Sequence, residues 1–526
     1  MNLHTIQIVL RAVSPVAVKA MLGDGGELAL IDLREELIFS RGHLLWARNV
    51  PLSRLELRFA TLVPRKTTRI VLIDDNDGLT QRAADMLGRA GYSDLSFLDG
   101  GNAAWQAAGF ELFSGVNVPS KAFGEFIEHA SHTPSIGALE LDALMRAGTN
   151  MVVLDSRPHD EYSRISIPTG INVPGAELVL RVHDIAPSPD TLIVVNCAGR
   201  TRSIIGAQSL INAGVPNKVV ALRNGTMGWH LAGFACDRGN DKRAPAVSGA
   251  GLAWAKQKAA AVARRFGIAS IGRTTLERWR ADDNRTTYLF DVRDPAEYQA
   301  GHFPGALSAP GGQLVQATDQ YAGTLQARIV LFDDNEVRAV MTASWLKQMG
   351  WKEVAVLPEA GAEKGTPADS MLGTLPDDAA VEYSDVLAID NVNVIDLSRS
   401  PNYRRGHIPG AWFAIRGRLD RALPKIPLRR MLVLTSEDGV LAGLAVEEAR
   451  ALCKIPVHWL RGGNAAWAAA GFPLATDIKM ADEPLDAWLK PYERPGDPKT
   501  AMNEYLTWEV DLLERIACDG TANFIA

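Results

Sequence analysis

The sequence predicts an α/β protein of four tandem units, each a mostly parallel central sheet flanked by helices. Three observations carry that prediction. First, an apolar strand ending in Asp is written four times: Leu30-Ile31-Asp32-Leu33-Arg34, Val153-Leu154-Asp155-Ser156-Arg157, Leu289-Phe290-Asp291-Val292-Arg293 and Val394-Ile395-Asp396-Leu397-Ser398. Second, another apolar run follows each one (Ile70 to Ile73, Leu192 to Val195, Ile329 to Phe332, Met431 to Leu434). The position two residues past it holds Asp75, Cys197, Asp334 or Ser436. Third, three copies close on Gly100-Gly101-Asn102-Ala103-Ala104-Trp105, Asn224-Gly225-Thr226-Met227-Gly228-Trp229 or Gly462-Gly463-Asn464-Ala465-Ala466-Trp467.

The spacings exclude coincidence. From the opening Asp to the key position there are 43, 42, 43 and 40 residues, and from there to the closing Trp 30, 32 and 31 in the three copies that have it. Solenoid repeats run about 20–50 residues, so units of this size are whole domains. A length of 526 residues points to the same number. Short β-branched runs alternating with helical segments predict parallel α/β units.

Taken in order, the first unit spans 1–116 and lacks cysteine at its key position. The second spans 117–238. In it Thr191 to Asn196 reads as a buried strand, and Thr201 to Ala213 as a helix with Ile204, Ile205, Ala207, Leu210 and Ile211 on its apolar side, stopped by Gly214. Cys197 therefore lies between the end of a strand and the start of a helix, where ligand sites of open α/β sheets collect. A polar linker, Asp237 to Gly251, leads into an Ala-rich helix, Leu252 to Phe266, within 239–268; its Lys256, Lys258, Arg264 and Arg265 read as a solvated face between domains. The third unit, 269–375, has lost the closing Trp segment and reads Pro358-Glu359-Ala360-Gly361. The fourth spans 376–476. The tail, 477–526, holds an amphipathic helix near Glu504 to Ile516, with Tyr505, Trp508, Leu512 and Ile516 on the face that docks on the protein's own core.

Composition narrows the function. A hydrophobic fraction of 47% with 22% charged residues is that of a globular protein, and the net charge of −6 gives no reason to expect nucleic acid. No apolar run approaches the ~18 residues of a membrane span, and the first residues do not form a signal peptide. Four cysteines without Cys-x-x-Cys spacing argue against a disulfide framework or structural zinc, and for a cytoplasmic protein with reduced thiols. Cys236, Cys453 and Cys518 read as packing or surface residues, with Cys236 a weaker candidate resolving thiol.

The loop Cys197-Ala198-Gly199-Arg200-Thr201-Arg202-Ser203 carries the chemistry. Only a thiolate is nucleophilic, and a free cysteine is about 3% ionised at pH 7. A helix N-terminus, Arg200 and Arg202 all act to raise that fraction. Gly199 lets the backbone curl so that successive N–H groups converge on one anionic atom.

The repeated Asp-x-Arg, the Glu-Tyr that follows it, the Gly-His-x-Pro-Gly-Ala (Gly301 to Ala306 and Gly406 to Ala411), the cysteine loop and the Gly–Trp close resemble the rhodanese (sulfurtransferase) domain. The resemblance covers about nine tenths of the chain. It implies that Cys197 takes a sulfane sulfur and becomes a persulfide, that Ala198 to Ser203 form the anion-binding loop, and that Arg200 and Arg202 attract a donor such as thiosulfate. Asp155, Arg157, Glu161 and Tyr162 match the opening signature and are expected to orient the loop. The second unit departs from the pattern by holding Ile165-Ser166 where Gly-His is expected.

The implied reaction is ping-pong transfer to a thiol, cyanide or protein cysteine, with no metal or organic cofactor. Asp75, Asp334 and Ser436 cannot carry a persulfide, so the other three units are expected to be inactive and to wall the active one. Two rivals remain open. Cysteine phosphatases use a similar cradle but place Arg six residues after Cys, whereas Arg202 is five after Cys197. A non-catalytic sulfur carrier, redox sensor or scaffold also fits three lost cysteines.

Overall fold

The computed structural model describes residues 10–358, 370–388 and 391–526. It contains four five-stranded sheets, and every neighbouring pair of strands is parallel. With strands numbered in chain order inside each sheet, the order is 1-5-4-2-3 all four times. The chain is thus a tandem array of α/β units, as the repeated strands predict. The central strand of the second unit, Leu192–Asn196, is buried at four of its five residues and its neighbour Val219–Leu222 at all four, which explains their continuous apolar runs. Of the closing segment of the third unit, Glu359, Ala360 and Gly361 lie outside the described residues.

Strand register corrects one alignment. Asp32 pairs with Ile73, Asp155 with Asn196, Asp291 with Phe332 and Asp396 with Thr435. The residue after each partner is Asp74, Cys197, Asp333 or Ser436, so Asp74 and Asp333, rather than Asp75 and Asp334, are the counterparts of Cys197. Burial agrees: these four residues are 2%, 2%, 1% and 0% exposed, while the side chains of Asp75 and Asp334 are 46% and 47% exposed. The closing glycine agrees too. A Cβ on Gly101, Gly225 or Gly463 would collide with the carbonyl oxygen of Asp74, Cys197 or Ser436. The shift arises because the second unit's strand continues through polar Asn196, past the end of its apolar run.

The second and third units share one continuous core. The helix between them runs over Gly249–Phe266, three residues earlier than Leu252, because Ser248 caps it by accepting from the Gly251 N–H at 2.9 Å. Lys256, Arg264 and Arg265 face solvent as expected, but Ala255, Ala259 and Val262 are buried between the helices Leu178–Ile185 and Val337–Gln348. The first and fourth units are joined by Arg416, which donates to both oxygens of Glu56 at 2.8 and 2.7 Å.

The tail helix spans Pro498–Asp519, longer than the predicted Glu504 to Ile516. Its C-terminal half is anchored on the first unit and the start of the second: Leu512 and Ile516 pack with Leu45, Phe113, Val118 and Ala122, and Arg515 pairs with Glu111 at 2.6 Å. Its buried face is Met502, Leu506, Glu509, Leu512 and Ile516, whereas Tyr505 and Trp508 lie half-buried at the edge. Ile211 is another departure, exposed on the helix Thr201–Asn212. Among the described residues, no helix is long and apolar enough to cross a membrane.

Candidate functional site

Cys197 follows the last residue of the strand Leu192–Asn196, and four residues later the helix Thr201–Asn212 begins. The loop between them is clamped from below. The Cys197 carbonyl accepts from the Thr226 N–H at 2.8 Å and from the Thr226 hydroxyl at 3.0 Å. Asn196 donates its amide to Asp155 at 2.8 Å. Asp155 in turn receives Arg157 through Nε at 2.8 Å and Nη2 at 2.7 Å, and Arg157 also donates to the Ile165 carbonyl at 2.7 Å. The same pair recurs as Asp32–Arg34 and Asp291–Arg293, in units without the thiol. The pair is thus not peculiar to the unit with the thiol: it is buried and geometrically matched, and its rupture would leave a bare charge in the core.

The Cys197 thiol donates to the Ser203 hydroxyl at 3.6 Å, and that hydroxyl donates onward to the Arg200 carbonyl at 2.7 Å. Among the described residues no N–H group donates to Sγ, so the expected convergence of amides on this atom is not met. The aspartates of the other units show what the cradle does hold. The Asp74 carboxylate accepts from the N–H groups of Asn76 and Thr80, both at 3.0 Å, and Asp333 accepts from the Arg338 N–H at 3.0 Å. In the second unit the matching residues are Gly199, Ser203 and Arg202. Sγ of Cys197 stands in the place of an aspartate Cγ, and an atom one bond further out would stand in the place of a carboxylate oxygen.

Both arginines of the loop are already paired. Arg200 donates to Glu125 at 2.8 and 2.7 Å, to Glu128, and to Asn224 at 3.2 Å. Arg202 donates to Glu161 at 3.2 and 2.9 Å and to Gln313 of the third unit at 3.2 Å. Burial pushes the Glu161 carboxyl up, but Arg202 and Lys490 overcome it and hold the group far below the usual carboxylate range. The pair has a counterpart in the third unit, Arg338 with Glu297 at 2.7 Å. The two guanidinium charges near Cys197 are thus offset by three carboxylates.

The loop is roofed by the tail helix. Met502 and Leu506 pack on Ala198 and Met227. A Cβ on Gly199 would stand 2.9 Å from Glu509 Oε2 and 3.4 Å from the Tyr505 ring. Gly199 does not adopt a positive φ, so close approach rather than backbone curl is what requires glycine here. Glu509 is buried against Lys121 at 3.1 Å and the Tyr505 hydroxyl at 3.0 Å, and its Oε2 has no hydrogen-bond partner. Burial drives the Lys121 ammonium down, but Glu509 reverses that and holds it above the ordinary range. Cys197 is accordingly 2% exposed.

Reading the loop by itself misses Glu125, Glu128, Gln313 and Glu509, which approach it from far along the chain. Only Glu509 left a trace in the sequence, a carboxylate on the same helical stripe as Met502, Leu506, Leu512 and Ile516. Of the remaining cysteines, Cys236 and Cys453 are half-buried and Cys518 is exposed. Burial pushes the Cys236 thiol up, which weakens it as a resolving nucleophile.

A family profile described as the rhodanese-like domain matches residues 14–108, 138–232 and 273–360, more than half of the chain. The chain belongs to the rhodanese-like domain family. A solved thiosulfate sulfurtransferase from Pseudomonas aeruginosa is 47% identical, covering 98% of this chain and 100% of that one, with a TM-score of 0.94. An HTH-type transcriptional regulator of Mycobacterium tuberculosis is 33% identical over 94 residues, 18% of this chain and 41% of that protein. The Bacillus subtilis protein YqhL is 38% identical over 76 residues, 14% of this chain and 59% of that one. This rhodanese therefore spans only about half the length of those two curated relatives. The fourth sheet lies beyond the profile matches, yet it has the strand order of the other three.

Proposed function

We propose that this rhodanese is a sulfurtransferase, moving a sulfane sulfur from a small anionic donor such as thiosulfate to a thiophilic acceptor through a persulfide on Cys197. The observation that carries the proposal is the occupancy of the sister cradles. Asp74 and Asp333 place a carboxylate oxygen, one bond beyond Cγ, on the N–H groups of the loop. A persulfide places its outer sulfur one bond beyond Sγ, toward the Gly199 and Arg202 N–H groups that match those of Asn76 and Arg338, which would stabilise its negative charge; the Ser203 N–H is already given to the Arg200 carbonyl at 3.1 Å. The likeness to a thiosulfate sulfurtransferase over the whole chain supports the same reaction class.

In the first half-reaction the Cys197 thiolate attacks the outer sulfur of thiosulfate. The S–S bond forms as the sulfur–sulfite bond breaks, and sulfite leaves with the bonding electrons. In the second, an acceptor thiolate attacks the outer sulfur of the persulfide, and the Cys197 thiolate is released. Ser203 takes the thiol hydrogen bond, Asp155 and Arg157 hold the loop, and Ala198 to Ser203 line it. The two arginines act by fixing loop shape against Glu125, Glu128 and Glu161, since their charge is already offset. The other three units serve as scaffold, with Gln313 of the third unit touching Arg202.

A carrier or sensor role is the second reading, favoured by the roof over Cys197: a stored sulfur screened from solvent turns over slowly. Intact-mass analysis after exposure to thiosulfate tests both, and loading of one sulfur that maps to Cys197 is expected. No added sulfur would overturn the persulfide. Loading without transfer to any thiol would favour the carrier. Phosphate-ester turnover lost in Cys197→Ser would favour the phosphatase chemistry instead.

A further inference from the structure

Between the fourth unit, the first unit, Arg164 of the second and the tail lies a cleft of about 1520 Å³. Small-molecule pockets run about 300–1,000 Å³, so its size suits a stretch of polypeptide better than a single small ligand. Five arginines line it against two glutamates, Glu493 and Glu504. Arg164 pairs with Glu493 at 2.7 Å and Arg399 pairs with Glu36. The other three form no ion pair among the described residues. Arg404 and Arg405 end the helix Ser400–Arg405 with exposed guanidinium groups; Arg404 meets only the Met480 sulfur at 3.7 Å, and Arg405 meets Asn402 and the Pro401 carbonyl. Arg494 lies over the Trp488 ring at 5.2 Å and donates to the Leu489 carbonyl at 3.0 Å. Uncompensated arginines beside the aromatic walls Trp488, Tyr505 and Trp508 make a surface for carboxylate-bearing chain.

The cleft also comes within one side chain of the cysteine loop. Tyr505 is one of its walls, and the same ring stands against Gly199 of the cysteine loop. We infer that this cleft docks the sulfur acceptor, an acidic polypeptide segment carrying the receiving cysteine; the inference rests on the sulfurtransferase reading. Arg404, Arg405 and Arg494 bind the acidic flanks, and the cysteine is presented at the Tyr505 side of the tail helix. A polypeptide supplies the nucleophilic sulfur that the second half-reaction consumes, and an ordinary nucleic acid does not.

The test uses the full chain and a fluorescein-labelled peptide of alternating Glu and Ser around one Cys, with the Cys→Ser peptide for binding alone. Anisotropy should show binding that weakens with salt and falls about tenfold or more in Arg404→Glu/Arg405→Glu. The same double variant should raise KM for the acidic thiol peptide with kcat unchanged, and leave transfer to a small uncharged thiol intact. Arg494→Glu should weaken binding in the same way, guarding against a fold defect peculiar to one variant. Equal binding by the double variant, equal binding of a Lys-for-Glu peptide, or tighter binding of an oligothymidylate would overturn the site. Transfer to the small thiol without peptide binding would overturn the site and spare the reaction. Peptide binding without sulfur loading at Cys197 would keep the site and overturn the reaction.

Discussion

Shortening Leu506 to alanine should open Cys197 to solvent. Leu506 is 6% exposed, and with Met502 it forms the apolar part of the roof over Ala198 and Met227. Buried Leu→Ala substitutions cost about 2–5 kcal/mol. The cluster here is small and edged by half-buried Leu231, Tyr492 and Tyr505, so the low end, about 2 kcal/mol, applies. That loss falls on the N-terminal half of the tail helix. The C-terminal half stays tied by Leu512, Ile516, Arg515–Glu111 and Lys19–Asp519. If a reagent reaches Sγ only when the roof lifts, its rate follows the open population. About 2 kcal/mol then multiplies that rate roughly 30-fold. The assay is iodoacetamide labelling of the folded protein, with the Cys197 peptide quantified against the Cys518 peptide of the same chain. Cys518 is exposed and serves as an internal clock. A Cys197-to-Cys518 ratio unchanged by the substitution, or a wild-type Cys197 that labels as fast as Cys518, would refute the roof.

Three further outcomes are expected. Cys197→Asp should be inactive yet melt at or above Cys197→Ala, because N–H groups of the loop would donate to its carboxylate as the matching groups of the other units do to Asp74 and Asp333; a lower melting temperature than the alanine variant would sink the comparison of cradles. Ser436→Cys should load no sulfur by intact mass in a Cys197→Ser background, since that loop carries Glu437 and Asp438 and no arginine before Val440. Burial, with Asp486 nearby, raises the Glu35 carboxyl from 4.5 to about 7 against the opposing pull of Ser53, Arg54 and Arg418. The folded chain then holds this proton more tightly than the unfolded one, so the group's contribution is present below about pH 4.5 and is lost as pH rises toward about 7. Glu35→Gln, which copies the protonated form, should reduce the fall in Tm between about pH 5 and about pH 8; parallel profiles for the two proteins would count against it.

The architecture was legible because its signals are local. Each unit's opening strand ends in a buried Asp, and the closing Gly of three units stands where a side chain would strike the neighbouring loop. Cys197 was legible for the same reason, being a lone thiol between strand and helix. Finer alignment was not: apolar runs end one residue early in the second and fourth units, so counting from them displaced Asp74 and Asp333 by one. The loop's residues were legible, but not its charge. Arg200 and Arg202 announce a cationic site, yet their partners Glu125 and Gln313 stand 75 and 111 residues away.

By itself, then, the amino-acid order determined four parallel sheets and one cysteine between a strand end and a helix start, since strand ends, turns and helix starts depend on near neighbours. Only tertiary structure decided that the thiol is roofed, that its arginines are neutralised, and that a basic cleft stands one side chain from its loop. Each of those depends on side chains from different units meeting in space. Glu509 contacts Thr201 across 308 residues, and no pattern in the intervening chain encodes that meeting.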